Sequence, residues 1–119
     1  MSKAVILLGH GSRDPLWREP IEAVAARLAQ RRPGIPARCA YMELEQPDLA
    51  TAAGELAAAG ATQVTIVPMF LGTGKHARTD MPGLVEQLRQ AHPSVAFELQ
   101  KPVGEDPRVL DLLAAIALE

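Results

Sequence analysis

A run of apolar residues in the middle of the chain, residues 64–71, places the strongest constraint on the fold. It is rich in β-branched residues such as Ile66 and Val67, and it shows no clean alternation with polar residues. A strand that is buried on both faces of a parallel sheet has this composition. Gly72 and Gly74 follow it, and a segment of helical periodicity comes next. The stretch therefore predicts a buried strand, a loop and a helix.

The same succession of strand and helix runs along the whole chain. Strands are predicted at residues 3–8, 37–44, 64–71 and 94–100, and helices at residues 17–31, 47–60, 80–92 and 108–118. The βαβαβαβα order predicts one α/β domain over residues 1–119, with a parallel sheet covered by helices on both faces. By analogy with flavodoxin-like sheets, we predict the strand order 2-1-3-4.

Charge and cysteine content limit the partners and the compartment. The net charge is −2, and the basic residues are spread evenly, so we expect neither nucleic acid nor a membrane as a partner. Cys39 is the only cysteine, which excludes an intramolecular disulfide and favours a reducing compartment. The first apolar run is too short for a signal peptide or a membrane span, and we therefore predict a cytoplasmic protein.

Three side chains are candidates for chemistry at one edge of the predicted sheet. His10 follows the first strand between two glycines, Glu43 lies at the carboxyl end of the second strand, and His76 follows the third. His76 is predicted to lie in a loop, with Asp80 as the N-cap of the next helix. Glu45 would share the strand face of Glu43 if the strand continued, so either carboxylate can be the functional one. Open α/β sheets bind their ligands at this edge.

Two imidazoles and a carboxylate suit a borderline divalent metal such as cobalt, nickel or ferrous iron. Because these ligands come from separate segments, the site is expected to be open and the metal transient, with no permanently bound cofactor. A neutral imidazole can also accept a proton near neutral pH.

Other interpretations of the same residues stay open. The glycines around His10 can form a turn or a nest of amides for phosphate, although the dinucleotide and P-loop fingerprints are absent. Ser12 beside His10 raises the possibility of a hydrolase, but the chain has no G-x-S-x-G elbow. A non-catalytic carrier that binds a metal and hands it on would use the same histidines.

Four segments together resemble a known family. They are GHGSR at residues 9–13, YMELEQPDL at residues 41–49, VPMFLGTGKHARTDMP at residues 67–82 and PVGEDPRVLDLL at residues 102–113. The chain resembles, nearly end to end, the class II tetrapyrrole chelatases, specifically the short sirohydrochlorin cobaltochelatases of the CbiX type.

The resemblance implies an enzyme of the lyase class that inserts Co²⁺, with Ni²⁺ or Fe²⁺ as alternatives, into sirohydrochlorin in cobalamin biosynthesis. It implies half of a two-domain chelatase that pairs as a homodimer.

The resemblance also implies the site residues. The catalytic residues would be His10, His76 and Glu43, and the two histidines would bind the metal. Which histidine takes the proton is open. Candidates for binding the polycarboxylate substrate are Arg13, Lys75, Arg78 and Met42. Gln46 departs from the acidic residue that the family pattern predicts before the proline.

Overall fold

The computed structural model describes residues 2–119 and contains a four-stranded parallel sheet. Its strands are β1 (Lys3–Gly9), β2 (Ala37–Tyr41), β3 (Gln63–Pro68) and β4 (Ala96–Leu99). They lie in the order β2-β1-β3-β4, which confirms the predicted order. Because β1 and β3 are central neighbours, the loops that follow them flank the point where the winding of the sheet reverses.

Four helices connect and follow the strands. They are α1 (Glu19–Arg31), α2 (Leu49–Ala58), α3 (Lys75–Ala91) and α4 (Pro107–Ala117), and short 3-10 turns cover Pro15–Arg18 and Val103–Glu105. Successive residues of β1 point to opposite faces of the sheet. Leu7 packs with Ile21 of α1 on one face, while Ile6 packs with residues of α2 and α3 on the other. The prediction that helices cover both faces is confirmed for α1, α2 and α3.

Helix α3 begins five residues before its predicted start. Its N-cap is Gly74, and Asp80 and Pro82 lie inside the helix. Ala77 and Met81, which are four residues apart, are both buried against the core, so packing of this face favours an extra turn. The prediction that His76 lies in a loop was therefore wrong. His76 is the second residue of a helix.

Strand β2 ends at Tyr41, earlier than predicted, and Glu43 lies in the loop that follows. Leu44 adopts a left-handed conformation with φ 65°, which turns the chain away from the strand direction. The loop returns to the strand end, where the Tyr41 N–H donates to the Pro47 carbonyl at 3.0 Å. Asp48 is the N-cap of α2 and accepts a hydrogen bond from the Thr51 N–H at 2.8 Å.

Helix α4 contains no buried residue. Asp106 caps it, and hydrogen bonds from Arg108 hold the pKa of Asp106 at about 2. Within residues 2–119, no helix combines the length and the apolar character that a membrane crossing needs. The cytoplasmic location stays a prediction.

Candidate functional site

The loops at the carboxyl edge of the sheet are joined by backbone hydrogen bonds that continue the ladders beyond the strands. The Met42 N–H donates to the Gly9 carbonyl at 2.9 Å, and the Glu43 N–H donates to the His10 carbonyl at 3.0 Å. On the other side of β1, the Met69 N–H donates to the Leu8 carbonyl at 2.8 Å. The carboxyl end of β1 is therefore held on both sides, and the backbone of His10 lies directly beside that of Glu43.

Gly11 makes this close approach possible. It has φ +105°, and a Cβ atom at this position would overlap with the Glu43 carbonyl oxygen and lie 2.8 Å from the carbonyl carbon. A residue with a side chain would meet both the unfavourable φ and the overlap. The second glycine of the G-H-G sequence is thus a requirement of the contact between the two loops.

The His10 imidazole is exposed on one side and stacked on the other. Its ring centroid lies 3.9 Å from that of Phe70, and the two planes are 19° apart. Phe70 follows β3 and is 1% exposed. The imidazole is therefore presented at the edge of the sheet on a rigid apolar support.

His76 is exposed in the first turn of α3, which begins after the loop that follows β3. The Arg78 N–H donates to the Gly74 carbonyl at 3.1 Å, and the Thr79 hydroxyl donates to the Lys75 carbonyl at 2.9 Å. These bonds hold the first turn in place. Both predicted histidines thus lie on segments that follow the two central strands.

The predicted set of two histidines and a carboxylate does not form a compact metal site. Among residues 2–119, no three side chains of the types His, Cys, Asp and Glu are grouped closely enough to hold a metal ion. His10 and Glu43 are joined through their backbones, whereas His76 lies on a separate element. An ion at this edge would need further ligands from water or a bound molecule. The catalytic and metal-binding roles of His10, His76 and Glu43 stay predictions.

The two candidate carboxylates have different environments. The Glu45 side chain is 7% exposed and accepts a hydrogen bond from the Arg18 guanidinium at 3.0 Å. This bond raises the pKa of Arg18. Glu43 is exposed. Glu45 therefore pairs with Arg18 to tie the loop to the Pro15–Arg18 turn, and Glu43 is the carboxylate left accessible at the edge.

The predicted substrate-binding residues have mixed surroundings. Arg13 and Lys75 are exposed. Arg78 is exposed too, and its guanidinium donates to the Thr73 carbonyl at 3.2 Å. Met42 is half-buried and packs against the larger core cluster. The three exposed cations can pair with an anionic ligand. Met42 instead packs its side chain against the core and so supports the loop that carries it.

Sequence reasoning missed an apolar rim on the same three loops. Large apolar side chains are exposed here on the Pro15–Arg18 turn, on the loop after β2 and on the segment after β3: Leu16 67%, Trp17 39%, Leu44 55% and Leu71 66%. Exposed apolar side chains grouped around polar ones indicate a binding surface. Trp17, Leu44 and Leu71 were placed at the ends of a predicted helix and two predicted strands, so no sequence signal marked them as exposed.

Two neutral groups at this edge have structural roles. The Ser12 hydroxyl accepts a hydrogen bond from the Asp14 N–H at 3.1 Å, so it stabilises the turn after His10. Burial raises the pKa of Tyr41 to about 12, and its phenol is therefore protonated at neutral pH and cannot serve as a base. Neither group gives support to a hydrolase.

The third histidine, His92, lies far from this edge. It is the C-cap of α3, and its ring centroid is 6.2 Å from that of Phe97. Because α3 has 17 residues, it separates its two ends by about 25 Å. His92 therefore lies apart from the two histidines of the candidate site.

Comparison with known proteins gives consistent matches. The family model described as CbiX matches residues 4–119. A sirohydrochlorin cobaltochelatase of Methanosarcina acetivorans is 30% identical over 116 residues, which cover 92% of this chain and 89% of that protein. A sirohydrochlorin ferrochelatase of Bacillus subtilis is 30% identical over 115 residues, but these cover 92% of this chain and only 42% of the relative.

A solved structure supports the same relationship. A putative cobalamin (vitamin B12) biosynthesis CbiX protein from Marinobacter aquaeolei has a TM-score of 0.84 and 36% sequence identity to this chain. The match covers 97% of this chain and 93% of that protein. The chain therefore spans nearly all of the short relatives and less than half of the longer one.

Proposed function

The chain belongs to the CbiX family, and we propose that it is a chelatase that inserts a divalent metal ion, Co²⁺ in the first place, into sirohydrochlorin. Relatives at 30% identity are named for insertion of cobalt and of iron into this macrocycle. The resemblance of the four sequence segments supports the same reaction. It places the chain in tetrapyrrole biosynthesis.

The observation that carries the proposal is the combination of groups at the carboxyl edge. Exposed His10 and His76 lie on the segments that follow the central strands, and the exposed apolar residues of the rim belong to loops at the same edge of the sheet. A tetrapyrrole has a broad apolar face and acidic arms. The rim residues Leu44 and Leu71 can contact the face, and the exposed cations on neighbouring segments can pair with the arms.

The reaction removes two protons from pyrrole nitrogens and replaces them with one divalent ion. The ion must lose water while the macrocycle nitrogens take over as its ligands. A neutral imidazole can hold the incoming ion or accept a pyrrole proton, and His10 and His76 supply two such groups. Glu43, which is accessible beside His10, can neutralise positive charge or pass a proton to solvent. These three groups therefore suit a site that binds the metal ion only until the macrocycle takes it over.

We expect the purified protein to catalyse multiple turnovers of Co²⁺ insertion. The measurement is an anaerobic absorbance assay with sirohydrochlorin and separate Co²⁺, Ni²⁺ and Fe²⁺ salts. Because these ions share ligand preferences, the relative rates with each salt rank the metals. Turnover beyond one equivalent per protein supports the enzyme, whereas tight binding of metal or macrocycle without turnover supports a carrier.

The active form is proposed to be a homodimer in which α4 contacts a second copy of this chain. The apolar residues of α4 lie mainly along one side of the helix and are exposed: Leu110 48%, Leu112 62%, Leu113 41% and Ile116 57%. The main contact of α4 within its own chain is with the Val103–Glu105 turn. An apolar helix face of this kind is stabilised only when another surface covers it.

The length of the relatives favours a second copy as the partner. The Bacillus relative has more than half of its length outside the aligned part, which leaves room for a second unit in the same chain. The Methanosarcina relative is 89% covered and has no such room. A short chain can form the second side of a binding cleft for a large macrocycle by pairing with another copy. Because these side chains are about half exposed, burial of each leucine or isoleucine would contribute roughly half of the 1.5–3 kcal/mol that complete burial contributes.

We expect a double substitution, Leu113→Glu with Ile116→Glu, to convert the dimer to a monomer and to reduce metal insertion strongly. Two carboxylates on the apolar face would have to be buried in the dimer, which is unfavourable. Sedimentation velocity measures the oligomeric state. The matched control is Ala115→Glu, which lies on the opposite side of α4 and should leave the dimer intact. A monomeric wild type, or a double variant that stays dimeric, would contradict the proposal.

A further inference from the structure

The stacking of His10 on Phe70 joins an accessible imidazole to a rigid part of the core. The ring centroids are 3.9 Å apart, and the planes differ by 19°. His10 belongs to the loop after β1, and Phe70 belongs to the segment after β3. The contact therefore crosses the point where the winding of the sheet reverses.

Phe70 is held in place on several sides. Its side chain is 1% exposed and belongs to the larger core cluster. Its carbonyl accepts a hydrogen bond from the Gly104 N–H at 3.0 Å. Gly104 packs so closely on the next peptide that a Cβ atom would overlap with the Leu71 carbonyl oxygen and lie 2.6 Å from its carbon. The turn before α4 thus holds the backbone of Phe70 and Leu71 in place.

A parallel stack restricts what an imidazole can do. The lone pair of an imidazole nitrogen lies in the ring plane, so a metal ion or a proton must approach along the ring edge. Phe70 covers one face of His10 and opposes rotation of the ring out of the stack. The ring edge is consequently held in one plane before a ligand arrives, and groups held in a productive geometry react faster.

We propose that Phe70 is a positioning residue that fixes the plane of the His10 imidazole for metal binding and proton transfer. The role of His10 in this statement rests on the proposed chelatase function. Phe70 itself is too buried to touch the macrocycle. Its effect must therefore pass through His10.

The first test is an NMR spectrum of the wild-type protein. Ring protons of His10 that lie over the face of Phe70 should be shifted upfield by its ring current, and they should show cross-relaxation with Phe70 protons. Variants of the other two histidines assign the signals. Ring protons of His10 at unfolded-chain positions would overturn the proposal, and this result needs no substitution in the core.

The second test compares Phe70→Leu with Phe97→Leu. Both residues are buried phenylalanines of the same core cluster, but only Phe70 stacks on His10. Phe70→Leu should remove the upfield shift, weaken binding of Co²⁺ alone several-fold and lower kcat about tenfold, the size expected for loss of an aromatic pair. KM for sirohydrochlorin should change little. Phe97→Leu should lose comparable stability to urea and retain all three His10-dependent properties.

The outcomes separate the positioning role from the proposed function. Equal losses of kcat in the two variants would show a merely structural effect and overturn the proposal. If the wild type proves to lack turnover, the NMR shift and the titration with Co²⁺ still decide whether Phe70 orients His10. A Phe70→Leu protein that keeps wild-type Co²⁺ affinity and kcat would also contradict the positioning role.

Discussion

Replacing either His10 or His76 with alanine is expected to abolish metal insertion while the protein stays folded. Both side chains are exposed, so their removal leaves no large cavity in the core. Loss of a group that transfers protons lowers a rate by about 10²–10⁴-fold, and loss of a metal contact adds to this. The measurement is the initial rate of Co²⁺ insertion, with urea unfolding of the same samples to verify the fold.

The matched control for these two variants is His92→Ala. His92 is the C-cap at the far end of α3 and should be dispensable for insertion. Sirohydrochlorin binding, measured separately, should survive in the His10→Ala and His76→Ala variants because the apolar rim and the cations stay intact. Near-normal insertion by both single variants would remove the basis for assigning the site to this edge.

Substitution of Gly11 with alanine is expected to give the largest loss of stability among single changes at the site. The new Cβ would overlap with the Glu43 carbonyl oxygen, and alanine would have to adopt φ +105°. Together these effects should lower the free energy of unfolding by about 2–4 kcal/mol. Insertion should fall too, because relief of the overlap moves the His10 loop away from Glu43. Urea denaturation and the insertion assay measure the two effects.

Gly60→Ala separates the two contributions to this loss. Gly60 has φ +99°, but nothing lies within 4 Å of a Cβ atom built there. The control therefore contains the backbone strain alone, which is about 1–2 kcal/mol. The additional loss in Gly11→Ala measures the contact with Glu43. Equal stability of the two variants would mean that the loops can separate without cost.

The strand order was predictable from the sequence, and so was the edge of the sheet at which the candidate residues lie. Buried parallel strands have continuous apolar runs, and their connections follow strong topological rules. Parallel strands also bring their carboxyl ends to one edge, which is why His10 and Glu43 were expected to be close. The hydrogen bond from the Glu43 N–H to the His10 carbonyl agrees with that expectation.

The errors occurred where local signals compete with packing. Asp80 and Pro82 have the composition of a helix start, but burial of Ala77 and Met81 extends α3 to Lys75. Glu43 was placed in a strand, but the left-handed Leu44 turns the chain after Tyr41. Capping preferences amount to about 1 kcal/mol, so the burial of two apolar side chains can outweigh them.

By itself, the sequence determined the α/β class, the order of the elements and the segments that carry the histidines, because periodicity and turn residues act between neighbours along the chain. Only the tertiary structure decided which carboxylate is accessible, since Glu45 is paired with Arg18, 27 residues away in sequence. It also decided that His10 stacks on Phe70 and that α4 is left uncovered. These features depend on contacts between distant segments, and no local pattern encodes such contacts.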